Sequence, residues 1–428
     1  MPILRNGNSF LKRKIMMKLT ETAKKLYPAR QWAAQEARYT AAEEQFKALF
    51  GEGEMMIFSA PGRSEICGNH TDHNLGKAVG ASIDLDVLAF VRPRNDGVVH
   101  IHSEGYAPFT VDTADLSINH DEIGTSSALV RGIAFKMKEA GYRVGGFDAY
   151  TVSNVCKGSG LSSSAAFEVA IACILDHLYN DGAMPKKEMA KISQFAENIY
   201  FGKASGLLDQ LSCAYGGMIA IDFKDPAEPM VSPLPFDFGK TGYDLIITDV
   251  RSDHADLTDD YVAIKSEMQA VANAFGKEFL RDVSLEELEE KLPLLHQNLS
   301  ERALVRAFHY LRENNRVDQL QAALEKDDFE AFKAIVCASG QSSFTYLQNI
   351  YSDKNPTAQA ITLALCIADG MLGGTGAWRV HGGGFGGTIQ AYVPREKTEK
   401  YCAAMERIFG ADCCFALQVR DCGPIKIQ

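Results

Sequence analysis

The run Lys157-Gly-Ser-Gly-Leu-Ser-Ser-Ser-Ala-Ala166 constrains this chain more than any other segment. A β-branched stretch ends near Val155, glycines and serines follow, and apolar residues then recur at helical spacing from Ala165 to Leu178. This order predicts a strand, a tight turn and a helix opening at Ser162. Such a junction gathers backbone N–H groups and the positive end of a helix dipole at one point, where an anion is stabilised. Gly158 and Gly160 permit unusual dihedrals and close backbone approach, and the serine hydroxyls can donate to a phosphate or ligate Mg²⁺. The Walker pattern GxxxxGK[ST] is absent, so by itself the run is equally readable as a capped helix start.

At 428 residues the chain is too long for one ordinary core, and two domains are expected, 18–228 and 229–428. The boundary falls where Pro226, Pro229, Pro233 and Pro235 cluster ahead of the apolar run Tyr243–Val250. Strands are predicted at Met55–Ala60, closing in a turn at Pro61-Gly62, and at Ala81–Val91, Phe147–Val155, Tyr243–Val250, Ala377–Val380, Thr388–Val393 and Phe415–Val419. Helical periodicity marks 18–50, 128–140, 165–178, 186–200 and most of 258–349, where Ser284 and Glu287 form a capping-box signature. The fold class expected is α+β, two domains with a cleft between them.

A net charge of −11 argues against nonspecific nucleic-acid binding, which needs excess Lys and Arg. The ten cysteines are scattered without a CxxC pair, as in a reduced, cytoplasmic protein with neither a disulfide framework nor a zinc pattern. His70-x-x-His73 is too little for a zinc site. Neither a signal-peptide core nor a run of ~20 apolar residues is found, so no membrane partner is expected. A monomer is favoured.

Three ordered motifs carry a resemblance. Gly160-Leu-Ser-Ser-Ser-Ala-Ala166 is similar to the second motif of the GHMP small-molecule kinases. Pro61-Gly-Arg-Ser-Glu-Ile-Cys-Gly-Asn-His-Thr-Asp-His-Asn74 resembles the galactokinase signature, and His381-Gly-Gly-Gly-Phe-Gly-Gly387 resembles the third GHMP motif. The resemblance spans about Ile57 to Val393 and implies the two-domain GHMP fold with the active site in the inter-domain cleft.

It also implies roles. ATP would be held by Lys157, Gly158, Ser159, Gly160, Leu161, Ser162, Ser163, Ser164 and Ala165, with Ser164 and Glu197 on Mg²⁺. The bland reading of Glu197 is a solvated helix position. Asp209 would be the catalytic carboxylate and Arg63 its partner, the arginine keeping the acid ionised. Arg63, Asn69, His70, Asp72, Gly206, Asp209 and Tyr261 would hold the sugar, and the glycines 382–387 would line the cleft.

The expected activity is ATP-dependent phosphorylation of a sugar at its anomeric hydroxyl, galactose first. Another hexose, an N-acetylhexosamine or a uronic acid is the alternative, and a noncatalytic sugar and ATP sensor comes third. Two departures matter. Gly68-Asn-His-Thr-Asp-His-Asn74 has Asn69 where the family signature has a sugar-contacting glutamate and His73 where it has tyrosine, and Thr125–Val130 replaces the family's Trp-x-Asn-Tyr segment near the adenine. Residues for base stacking are therefore not assigned.

Overall fold

Alternating β-branched and aromatic residues build two sheets in the computed structural model, which describes residues 17–155, 160–252 and 257–428. Lys157, Gly158 and Ser159 of the glycine-serine run lie outside the described residues. The first sheet holds β1 (Met56–Cys67), β2 (Lys77–Arg94), β3 (Val98–Ser103), β4 (Phe109–Asp112), β5 (Gly146–Ser153), β6 (Met218–Asp222), β7 (Met230–Leu234) and the returning tail β12 (Ile425–Lys426). Its spine runs β12-β1-β2-β5-β3-β4, with β6 on the start of β2 and β7 on β6. The second sheet, β11-β8-β10-β9, is antiparallel throughout: β8 (Tyr243–Asp249), β9 (Ala377–His381), β10 (Thr388–Pro394) and β11 (Cys414–Leu417). Mostly antiparallel sheets with segregated helices make the fold α+β.

Strand alternation sorts the helices. Ile57, Leu88, Phe90 and Tyr150 pack with Tyr39 and Phe46 of α2 (Trp32–Phe50), which follows the short α1 (Glu21–Lys24). Their neighbours Phe58, Ala89, Val91 and Ala149 face a second layer. That layer comprises α3 (Ser126–Glu139), α4 (Ser163–Tyr179), α5 (Lys186–Phe195) and α6 (Leu208–Tyr215). A helical group follows: α7 (Thr258–Ala274), α8 (Leu285–Leu295), α9 (Glu301–Glu325) and α10 (Phe329–Ser342). The capping box of Ser284 and Glu287 opens α8 as expected. Finally α11 (Ala360–Leu372) and α12 (Thr398–Phe409) cover Val380, Ile389, Ala391 and Val393 of the second sheet. Among the described residues no helix is long and apolar enough to cross a membrane.

Three elements differ from expectation. β1 does not stop at Pro61-Gly62 but runs on to Cys67, its register shifting between Pro61 and Arg63. A bulge accommodates a residue that has no N–H to give. Gly62 is there for contact rather than turning, because a Cβ would come within 2.9 Å of the Leu161 carbonyl, to which Arg63 N donates at 3.1 Å. The helix predicted over 186–200 ends at Phe195 and widens into a π-helical turn, Ala196–Phe201. The last predicted strand sits slightly earlier, at Cys414–Leu417.

Helix α9 anchors the chain after β1. Glu313, wholly buried, accepts from Gly68 N at 3.1 Å, from Cys67 Sγ at 3.4 Å, from Ser339 Oγ, and from Arg316 Nη1 at 2.6 Å. Burial alone would raise this carboxyl, but His309, Arg379 and Arg316 outweigh it and hold it at about 2. Its folded value lies below the ordinary carboxylate value, so its contribution to stability is complete above roughly pH 4.3 and is lost as pH falls toward 2. Glu313→Gln is expected to cost ~3 kcal/mol at neutral pH by leaving buried arginine charge uncompensated. It should also flatten the fall in Tm between pH 4.5 and 2. Calorimetry of both proteins across that window checks this, and parallel Tm–pH curves would rule the assignment out.

Candidate active site

After β1 the chain turns through Gly68 (φ 98°) and His70 (φ 58°) into the 3-10 turn Asp72–Asn74. This turn, the segment Ser205–Asp209 entering α6, and Gly382-Gly383 between β9 and β10 enclose a cavity of about 230 Å³. That is below the ~300–1,000 Å³ of drug-sized sites and suits a small polar molecule. The two sheets are latched behind it. Gln390 Nε2 donates to Ser64 Oγ (2.8 Å) and Glu65 O (3.0 Å), Arg379 Nη1 to Ile66 O (2.8 Å), and His381 Nε2 meets Ser64 Oγ at 3.1 Å. Of the third motif's glycines, Gly382 and Gly383 line the cavity.

At its edge stands Asp209, in the first turn of α6. Arg63 grips one carboxylate oxygen with Nε and Nη2, both at 2.7 Å, and donates through Nη1 to the Gly160 carbonyl. Ser162 Oγ donates to the other oxygen. Burial would raise this carboxyl, but Arg63 and Ser162 hold it below the ordinary range, so Asp209 is ionised at neutral pH. Arg63 and Asp209, 146 residues apart in sequence, are therefore brought together with the start of α4.

Ser162 sits at the N-cap of α4 in the left-handed region (φ 58°) and makes no side-chain cap. Its hydroxyl is turned to Asp209, which leaves first-turn N–H groups of α4 for an anion. Two residues on, Ser164 Oγ donates to Glu197 Oε1 at 3.0 Å. Glu197 is 1% exposed, which excludes the solvated reading, and the π-helical turn carries it inward. Lys203 Nζ (2.7 Å), Ser205 Oγ (2.5 Å) and Gln210 Nε2 (2.9 Å) also reach its carboxylate. A hydroxyl and a carboxylate beside a phosphate-type loop fit Mg²⁺, which takes few protein oxygens and relies on water and phosphate for the rest. Lys203 holds the same Oε1 from a half-exposed side chain.

The remaining predicted sugar residues are placed as follows. His70 Nε2 donates to the Gly383 carbonyl at 2.8 Å, and the ring stacks on Tyr261. Asp72 borders the cavity, and its Oδ2 lies 2.5 Å from where a Cβ at Gly206 would stand, so the carboxylate sits directly against that glycine. Tyr261 donates to the Gly384 carbonyl at 3.0 Å and lines an adjoining, wider opening shared with Asp72, His73 and Gly206. Asn69 borders the cavity too, but its amide is turned to protein partners. Three contributors were not foreseen: Glu65 in the cavity wall, Lys203 on Glu197, and buried Glu168, joined to Glu197 through Gln210 Nε2. A charged residue that a strand buries, as β1 buries Glu65, is the signal that could have found the first of them.

Comparison with known proteins agrees with the resemblance carried by the three motifs. A family model described as "GHMP kinases N terminal domain" matches residues 128–217, and one described as "Galactokinase galactose-binding signature" matches 44–93. The galactokinase of Streptomyces coelicolor is 31% identical over 373 residues, 86% of this chain and 92% of that one. The chain belongs to the galactokinase family. It is a sugar phosphotransferase of the GHMP class, as the three motifs imply. The galactokinase of Clostridium tetani is 30% identical over 84% of this chain and 89% of its own length. The crystal structure of Lactococcus lactis galactokinase complexed with galactose superposes with a TM-score of 0.76 at 26% identity, covering 91% of this chain and all of that one. A mevalonate kinase shares the fold at 14% identity and a TM-score of 0.62. GHMP kinases of the galactokinase branch use ATP as phosphoryl donor.

Proposed function

We propose that this galactokinase-family chain transfers the γ-phosphoryl group of ATP to the anomeric hydroxyl of D-galactose. The observation that carries the reading is the Asp209–Arg63 pair at the edge of a small polar cavity, joined through Ser162 to the helix start that also presents Ser164 to Glu197. The sugar would sit among His70, Asp72, Gly206 and Asp209, with Tyr261 bracing His70. The ATP phosphates would lie on the α4 N-terminus, within the run from Lys157 to Ala165. The two domains, proposed as 18–228 and 229–428, would then contribute to one cleft.

Phosphoryl transfer asks mainly for alignment and charge. Asp209, held below the usual carboxylate range, is too weak a base to remove an alcohol proton early. It orients the hydroxyl and takes the proton late, as the oxygen–phosphorus bond forms. Arg63 stabilises the charge that develops on the transferring group. Mg²⁺, when bound, neutralises phosphate charge, and Ser164 with Glu197 would hold it.

The test is a panel of sugars with Mg-ATP and a coupled ADP readout. Galactose is expected to be turned over with kcat/KM at least ~10²-fold above its C4 epimer glucose, since a pocket built to pair a hydroxyl rejects the isomer that leaves its polar groups unpaired. Turnover of an N-acetylhexosamine or a uronic acid without turnover of galactose would reassign the substrate. Binding of sugar and ATP with no turnover would make the chain a sensor.

A further inference from the structure

The hydrogen-bonding capacity of the Asn69 amide is filled inside the protein. Nδ2 donates to Glu65 Oε1 at 3.0 Å and to the Gly382 carbonyl at 2.7 Å, while Oδ1 accepts from Asn349 Nδ2 at 2.9 Å and Ser343 Oγ at 3.3 Å. Two N–H groups and two lone pairs are the whole capacity of an amide. The side chain is 1% exposed, and its backbone carbonyl is taken by His309. No polar atom of the Asn69 side chain is left for a ligand.

Glu65 is in the opposite condition. Its Oε1 is fixed by Asn69 and by Arg379 Nη2 at 3.2 Å, and Arg379 is itself pinned by the carbonyls of Ile66 and Val380. Its other oxygen accepts no hydrogen bond among the described residues, and the side chain forms part of the cavity wall that Asp72 and Asp209 also line. A carboxylate held at one oxygen by a rigid guanidinium and an amide, with the second oxygen toward a small cavity, is an oriented acceptor.

We propose that Glu65 is a specificity-determining residue of the sugar pocket, accepting a substrate hydroxyl through Oε2 while Asn69 positions it. This rests on the sugar-kinase reading above. It places a carboxylate for the sugar four residues before the position at which the signature carries its acid, on the same wall. Asn69 becomes the positioning residue, tying the carboxylate to Gly382, Ser343 and Asn349.

The experiment measures kcat, KM and Tm for wild type and Glu65→Gln on galactose and its monodeoxy analogues. Wild-type turnover of any sugar first establishes the underlying reading, and its absence on every sugar would defeat that reading separately. In Glu65→Gln, KM for galactose should rise about 10- to 100-fold with kcat and the KM for ATP changed less than about 3-fold, because a charge-assisted acceptor is lost. One deoxy analogue that wild type handles poorly should lose its disadvantage in the variant. The exchange Glu65→Asn with Asn69→Glu should recover KM relative to either single change, since it returns one acid and one amide to the same wall. Unchanged KM, an undiminished deoxy penalty, or a Glu65→Gln protein that fails to fold would overturn the proposal and leave Glu65 only as the buried partner of Arg379.

Discussion

Asp209→Ala is expected to abolish sugar phosphorylation, lowering kcat by about 10³-fold or more, while the affinity for ATP stays within about 3-fold of wild type. The loss combines two effects. A positioned proton acceptor contributes roughly 10²–10⁴-fold, and Arg63, its guanidinium gripped on one side by Asp209, would lose the partner that aims it. Asp209→Asn separates them, because the amide keeps the shape and one acceptor but not the charge. Its kcat should also fall steeply, with KM for the sugar changed far less. The depressed carboxyl further predicts that no loss of kcat/KM between pH 8 and 5 arises from Asp209, because it is already ionised throughout that range. Single-turnover assays with ATP titration check the set, and a near wild-type rate for Asp209→Ala would end the assignment.

The second large effect concerns Ser164 and Glu197. Glu197→Gln is expected to raise the Mg²⁺ concentration for half-maximal activity about 10²-fold and to lower kcat at fixed Mg²⁺, and Ser164→Ala should act in the same direction more weakly. The readout that decides between a metal role and a structural one is Mg²⁺-dependent nucleotide binding, followed without sugar. A carboxylate serving only to tie Lys203, Ser205 and Gln210 together would lower Tm and leave the Mg²⁺ dependence of ATP binding untouched.

Local chemistry made much of this readable from sequence. The glycine-serine run announces a helix start because the dihedrals and hydroxyls it needs come from adjacent residues, and α4 does open at Ser163. The capping box of α8 is legible for the same reason. What escaped depends on distant partners. β1 continues past Pro61-Gly62 because the Leu161 carbonyl, about a hundred residues on, pairs with Arg63 N and leaves no room for a side chain at Gly62. Glu65 has no local sign of a role in the sequence; its partner Arg379 lies 314 residues later. Helical periodicity leaves Glu197 beside the apolar stripe, and a π-helical turn, invisible to a 3.6-residue period, carries it into the interior. Departure from the family signature at Asn69 is plain in the sequence, but its consequence appears only once Asn349, Ser343 and Gly382 are seen to saturate the amide.

The most direct measurement is the structure of the product formed from galactose and Mg-ATP, read by phosphorus and proton NMR of the sugar phosphate. The account predicts one ADP released per galactose consumed and a phosphoryl group on the anomeric oxygen. Phosphate on any other hydroxyl, or ADP released without a sugar phosphate, would contradict it.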